Sequence, residues 1–231
     1  MLLAAGRGER MRPLTDACPK PLLTVRGKPL MQWHLDALQR DGAGPVLVNT
    51  AWLGEQIEAR FGARLQYSHE GRDFGGALET AGGIVRALPH LAEVFWVLAG
   101  DVYAPDFVFA PQAVADFEAG QALAHIWLVP NPEHNPAGDF GLSAQGLALD
   151  LPRDAGQPRY TYSTIGLYRR ALFQPPWCAI ADGNPQGERA ALAPLLRKAM
   201  AQARVTASLY TGAWTDVGTP QRLQQLNEAR G

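Results

Sequence analysis

The sequence predicts an α/β fold: a Rossmann-like, mostly parallel sheet flanked by helices, with an antiparallel insertion in the second half. Three observations lead there. Short apolar runs alternate with helical periodicities as far as about residue 120, and strands alternating with helices imply a parallel sheet joined by right-handed crossovers. Residues 46–48 and 94–98 are apolar throughout and read as buried strands. Beyond Gly120, strand-like stretches are joined by loops rich in Pro, Gly, Asn and Asp instead.

Taken in order, residues 2–5 read as a strand fragment, followed by a loop punctuated by glycine and proline as far as Pro29. Residues 30–40 carry apolar side chains at helical spacing and stop at Gly42, a C-terminal signal. Next come a strand at 46–48, a helix at 53–61, a short strand at 65–68, a helix at 80–88 that tolerates two glycines, and the strand at 94–98. In the second half, residues 122–129, 141–151 and 160–168 read as strands and 190–203 as an amphipathic helix. A strand at 207–210 and a helix from Pro220 complete the chain. There is no repeat and no low-complexity segment.

Composition narrows the function classes. The 231 residues suit a single domain. Net charge is −1, so no polycationic surface points to nucleic acid. Cys18 and Cys178 lack metal-type or redox spacing and read as reduced bystanders. No apolar run reaches the ~18 residues of a membrane span. The apolar start meets Gly6-Arg7 without a basic segment before it, so no signal peptide is read and a cytoplasmic protein is expected.

In a parallel sheet, ligands bind beyond the C-terminal strand ends. Gly6–Arg10, Asn49 and Gly100-Asp101 each follow a predicted strand. The first of these, Gly6-Arg7-Gly8-Glu9-Arg10-Met11, starts like a dinucleotide fingerprint, but Met11 replaces its third glycine and Pro13 breaks the helix that should follow. No Gly-Lys-Ser/Thr ending makes it a phosphate-binding P-loop. What remains is a flexible backbone carrying three arginines, with Lys20 held between Pro19 and Pro21. Arginine offers phosphate a planar fork and lysine a compact charge, a combination that suits a triphosphate.

The run Leu3-Ala4-Ala5-Gly6-x-Gly8-x-Arg10-Met11-x-Pro13-Leu14-Thr15, followed by Pro19-Lys20-Pro21-Leu22, resembles the signature of the sugar-1-phosphate nucleotidyltransferases. The resemblance continues through Gly100-Asp101 and Trp214-Thr215-Asp216-Val217-Gly218-Thr219. Within that family, Val48-Asn49-x-Ala51-Trp52-Leu53-Gly54 and Leu78-Glu79-Thr80-x-Gly82-Gly83 resemble the branch that uridylylates N-acetylmuramate α-1-phosphate in cell-wall recycling. The family's first strand has a few more residues ahead of its apolar run, so either a short first strand or a true start upstream of Met1 is expected here.

The resemblance implies UTP and a sugar 1-phosphate as substrates, with UDP-N-acetylmuramate and pyrophosphate as products. It divides the domain into a nucleotide-binding half at about 1–120 and a sugar-binding half at about 121–231. It implies that Ala4, Ala5, Gly6, Gly8, Glu9, Arg10, Met11 and Lys20 hold the nucleotide phosphates, and that Glu79, Gly82 and Gly83 lie near the base. Asp101 and Asp216 match its Mg²⁺ ligands, although either could be a cap or turn residue on sequence alone. Asp139 matches a sugar-contacting position, Thr164 matches another less cleanly because relatives often carry glycine there, and Asn49 is a sugar or loop ligand or, equally, a strand-end turn residue. Arg72, Arg159 or another cation is expected to meet a substrate carboxylate.

The charge problem sets the mechanism. A sugar phosphate is mostly dianionic at pH 7, its second pKa lying near ~6, and needs no strong base. It needs neutralisation and alignment against an anionic α-phosphate. Arg10 is expected on the leaving pyrophosphate, Lys20 on the phosphoryl oxygens, and Mg²⁺ on Asp101 and Asp216, with Arg10, Lys20 and Asp101 as the catalytic set. Two other readings stay open: a transferase for glucose or mannose 1-phosphate, and a catalytically silent sugar-nucleotide-binding relative.

Overall fold

The structure is a computed structural model and describes residues 1–228. Its strands in chain order are β1 (Leu2–Leu3), β2 (Thr24–Val25), β3 (Lys28–Pro29), β4 (Leu47–Thr50), β5 (Gln66–His69), β6 (Val94–Ala99) and β7 (Val102–Tyr103). They continue with β8 (Ala124–Val129), β9 (Phe140–Leu142), β10 (Ala148–Leu149), β11 (Arg159–Arg169), β12 (Val205–Leu209) and β13 (Thr215–Asp216). The helices are α1 (Leu14–Ala17), α2 (Leu30–Arg40), α3 (Gly54–Phe61), α4 (Glu70–Phe74), α5 (Glu79–Ala87), α6 (Pro111–Ala119), α7 (Leu192–Met200) and α8 (Pro220–Glu228).

Strand β6 shows how the sequence selects the architecture. Successive strand residues point to opposite faces, and both sets on β6 are apolar. Phe95 and Val97 join one core with Ile84, Phe173 and Leu196. Trp96 and Leu98 join a second core with Met31, Ile57 and Phe61 on the other face. A sheet covered on both faces is what parallel pairing requires. Strands β5, β4, β1 and β6 accordingly lie side by side in parallel. Strand β11 then lies antiparallel between β6 on one edge and β8 on the other, and its first residues pair with β9.

Four local details depart from the sequence pattern. The first strand stops at Leu3, because Ala4 N–H turns from the ladder to Asn49 Oδ1 at 2.9 Å. The run at 141–151 breaks into β9 and β10, with Gly146 at φ 77° in the turn between them. Strand β12 pairs parallel to β8, so the second half is not wholly antiparallel; α7 lies on the intervening crossover, which parallel neighbours need. Helix α6 escapes sequence detection because it buries only Phe117 and so carries little apolar stripe.

This topology puts the loops after β1, β4 and β6 at one edge of the sheet. A cleft of about 400 Å³ opens there, lined by the loop after β1, by Asn49, Ala99 and Asp101 at the ends of β4 and β6, and by Lys20, Glu70, Glu79 and Gly218 among others.

Candidate active site

The loop after β1 is built around Gly8, whose φ of 67° is the left-handed conformation that favours glycine. A short 3-10 turn, Glu9–Met11, follows it. Thr15 Oγ1 donates to Gly8 O at 2.9 Å and closes the loop from below. Arg7 donates to Thr15 O and Asp16 Oδ1, both at 2.8 Å, and stacks 3.8 Å over the ring of Trp52. The Trp52 indole N–H also reaches Thr15 O, at 2.9 Å. Arg12 donates to Asp16 Oδ1 at 2.8 Å. Two of the three loop arginines are therefore internal braces. Among the described residues, exposed Arg10 has no hydrogen-bond or ion-pair partner. Ala4, Ala5, Gly6, Gly8, Glu9, Arg10 and Met11 all line the cleft, as do Lys20, Asn49, Glu79 and Asp101.

Lys20 opens a second 3-10 turn, Lys20–Leu22, and is buried. Its Nζ lies 2.5 Å from Asp101 Oδ2. Asp101 occupies the turn after β6, and β7 directly beyond it pairs with β13, which carries Asp216. Val217 N–H donates to Asp101 O at 2.9 Å, lacing the two aspartate segments together. Asp216 in turn meets Arg222 Nη1 through Oδ1, and His134 Nε2 at 2.8 Å. Each predicted metal-binding carboxylate thus has a protein cation or imidazole against it.

That donor set fits Mg²⁺. The ion takes one or two carboxylates and completes its shell with phosphate oxygens and water. Among the described residues no group of three or more His, Cys, Asp or Glu could hold an ion without such outside ligands.

Asn49 and Glu70 form a buried bridge across the cleft floor. Asn49 Oδ1 accepts from Ala4 N–H, and Asn49 Nδ2 donates to Glu70 Oε1 at 2.7 Å. Glu70 Oε2 accepts from Leu78 N–H at 2.8 Å. Burial raises the Glu70 pKa, opposed by those two hydrogen bonds and, more weakly, by the charge of Arg86. The bridge ties the phosphate loop to the segment that precedes Glu79. Sequence reasoning missed Glu70, which carries no motif; Asn49, read as a sugar or loop ligand or a turn residue, bonds the loop after β1 at one end of its side chain and Glu70 at the other.

The remaining expected residues divide. Glu79 has φ 60° at the start of α5 and faces Arg189 at 3.9 Å. Gly82 and Gly83 are buried within α5 and do not themselves line the cleft, but Gly83 packs directly behind the lining residues Glu70 and Asn49, and both glycines let other groups approach closely. A Cβ on Gly82 would lie 2.4 Å from Glu188 O. Asp139 binds back to the fold: its Oδ2 accepts from Tyr162 N–H at 2.8 Å and its Oδ1 from Asn135 at 3.3 Å. Thr164 sits at the bulge of β11 with φ 65°, and its buried hydroxyl lacks a partner among the described residues. A β-branched residue at that φ is strained, a condition concentrated at functional sites. Neither arginine named for a substrate carboxylate is free: Arg72 pairs with Glu58. Arg159 donates to Ala137 O, Gly138 O, Asp139 O and Leu151 O. His134 and Arg222 carried no usable sequence signal.

The fold and this cleft define a nucleotide-transferring enzyme, and the chain belongs to the nucleotidyl transferase family, whose description matches residues 1–230. It is similar to the N-acetylmuramate alpha-1-phosphate uridylyltransferase of Neisseria meningitidis serogroup B, 45% identical over 239 residues that cover 100% of this chain and 97% of that one. The enzyme of the same name from Caulobacter vibrioides is 31% identical over 243 residues, covering 96% of this chain and 92% of its own. Among solved structures, HddC from Yersinia pseudotuberculosis complexed with GMP-PN superposes with a TM-score of 0.70 at 15% identity, covering 98% of this chain and 96% of that chain. That last likeness is one of fold alone. No helix among the described residues is long and apolar enough to cross a membrane.

Proposed function

We propose that the protein transfers a uridylyl group from UTP to N-acetylmuramic acid α-1-phosphate, giving UDP-N-acetylmuramate and pyrophosphate, as a cytoplasmic step of cell-wall recycling. The observation that carries this reading is the 45% identity to a uridylyltransferase of that specificity across essentially the whole of both chains. It is supported by the cleft, whose lining brings together Arg10 of the loop after β1, Lys20 and Asp101.

The chemistry assigned to the residues follows from charge. Arg10, uncommitted within the protein, grips the leaving pyrophosphate. Lys20 lies on the α-phosphate oxygens, where a buried cation acts more strongly than it would in water. The amides of the Gly6–Met11 loop approach the phosphates closely. Asp101 and Asp216 would hold Mg²⁺, which when bound supplies charge neutralisation between the two reacting phosphates. The Asn49–Glu70 bridge keeps the phosphate loop and the base-side segment in register. No side chain is required as a strong base, because the attacking phosphate is already ionised.

Pyrophosphate release measured with Mg²⁺, four nucleoside triphosphates, and the 1-phosphates of N-acetylmuramate, glucose and mannose tests this. UTP with N-acetylmuramate α-1-phosphate is expected to give the highest kcat/KM. Faster turnover of glucose or mannose 1-phosphate would reject the substrate, and nucleotide binding without turnover on any pair would reject the enzyme.

A further inference from the structure

Arg222 lies outside every motif that carried the reading above, yet it occupies an unusual position. It sits in the first turn of α8, where its own N–H donates to Thr219 Oγ1 at 3.3 Å. Its side chain folds back from there, with little exposure, onto Asp216. Nη1 donates to Asp216 Oδ1, to Asp216 O at 3.0 Å, and lies 3.0 Å from His134 Nε2. Nε and Nη2 have no partner among the described residues. The other half of the guanidinium fork is therefore unused.

Gly218 shows which way that half faces. Gly218 lines the cleft, and a Cβ on it would lie 2.7 Å from Arg222 Nη2 and 3.1 Å from Asp216 Oδ2. The free Nη2 thus packs against a residue of the cleft wall, while Arg222 itself lies just behind the lining. The local charge is also incomplete. Arg222 and His134 share the single carboxylate of Asp216. When that carboxylate serves a divalent cation, the guanidinium is left beside another positive centre. Two cations that shared one carboxylate would repel, which favours an anion beside the guanidinium.

We infer that Arg222 is a substrate-binding residue that takes the phosphate of the sugar 1-phosphate on its free Nη2/Nε edge, with His134 bracing its Nη1 side. This rests on the sugar-1-phosphate transferase reading. The phosphate is the group that must arrive beside Asp216 for in-line attack on the nucleotide, and a guanidinium fork matches its oxygens. A sugar carboxylate would approach from the far side of the ring.

Wild type, Arg222→Ala and Arg222→Lys are compared with Mg²⁺ and UTP while N-acetylmuramate α-1-phosphate is varied. The alanine variant is expected to raise the sugar-phosphate KM roughly 10- to 100-fold, the loss of charge-assisted hydrogen bonds, with the UTP KM within about twofold. Lysine should recover part of the loss. A readout independent of turnover is calorimetric binding of the sugar phosphate to protein holding Mg²⁺ and a non-hydrolysable α,β-imido UTP, where Kd should weaken by the same factor. N-acetylglucosamine α-1-phosphate, which keeps the phosphate and lacks the carboxylate, should weaken as a competitor equally. Unchanged KM and Kd in a folded alanine variant would overturn the inference, as would a loss confined to the carboxylated sugar. An inactive wild type would instead overturn the transferase reading on which it stands.

Discussion

Acidification from pH 7 to pH 5 is expected to destabilise the fold through one buried histidine that supports strand β7 beside Asp101. His34 on α2 is 1% exposed, and its Nε2 lies 2.8 Å from Val102 O at the start of β7. The carbonyl can only accept, so Nε2 carries the proton and Nδ1 is bare, buried and without a partner among the described residues. Charging the ring would put a second N–H where no acceptor exists. Burial accordingly lowers the pKa to about 4 from 6.5, opposed by the hydrogen bond to Val102 and the charge of Asp101. The folded pKa is depressed, so the unfolded chain takes up the proton first, and stability falls as pH drops from 6.5 toward about 4. At about 1.4 kcal/mol per pH unit, the drop from 6.5 to 5 removes about 2 kcal/mol. Urea unfolding of wild type and His34→Gln at both pH values measures this, because glutamine keeps a donor for Val102 O and does not titrate. His125, whose pKa burial also lowers to about 4, contributes equally to both proteins and cancels. The reasoning fails if the pH-dependent loss in the glutamine variant is within about 0.5 kcal/mol of wild type, a margin set by the extrapolation error.

Further outcomes bear on the cleft. Lys20→Ala and Asp101→Ala are each expected to lower kcat roughly 100- to 1,000-fold, the scale of losing one preorganised charge at a reacting phosphate, in variants that still fold. Near-normal turnover in both purified variants would refute the assignment of the loop. Gly83→Ala puts a Cβ 2.4 Å from Glu70 Oε1 and 3.1 Å from Asn49 Nδ2, and overpacking of this kind costs about 1–3 kcal/mol. Because the displaced atoms are the bridge between phosphate loop and base-side segment, the UTP KM should rise with the loss of stability. A drop in melting temperature at unchanged UTP KM would show that the bridge is merely structural.

Most of the parallel half was legible because its signals are local. Residues 94–98 are apolar on both faces, and that alone requires cover on both sides, which the two cores supply. Helix α2 ran from residue 30 to residue 40 as the apolar spacing and Gly42 indicated. The loop after β1 was legible as a cleft element because glycine, proline and basic residues stand in a fixed order within one short stretch. Helix α6 was not, since a helix that buries one side chain has almost no periodicity to detect.

The cleft's supporting residues were hidden for a different reason. Glu70 matters because Asn49 and Leu78 converge on its two oxygens. Arg222 matters because it meets Asp216 and His134 across a chain separation of 88 residues from the latter. Arg7 and Arg10 look alike in the sequence, and only the position of Trp52 and Thr15 makes one a brace and leaves the other facing the cleft. The sequence by itself determined the sheet, the loop and the identity of the charged groups, because apolar periodicity, turn chemistry and residue type act over a few neighbours. Tertiary structure decided which of those charges are already neutralised and which remain for a ligand, because a charge's partner is set by through-space distances of a few ångströms that chain separation does not encode.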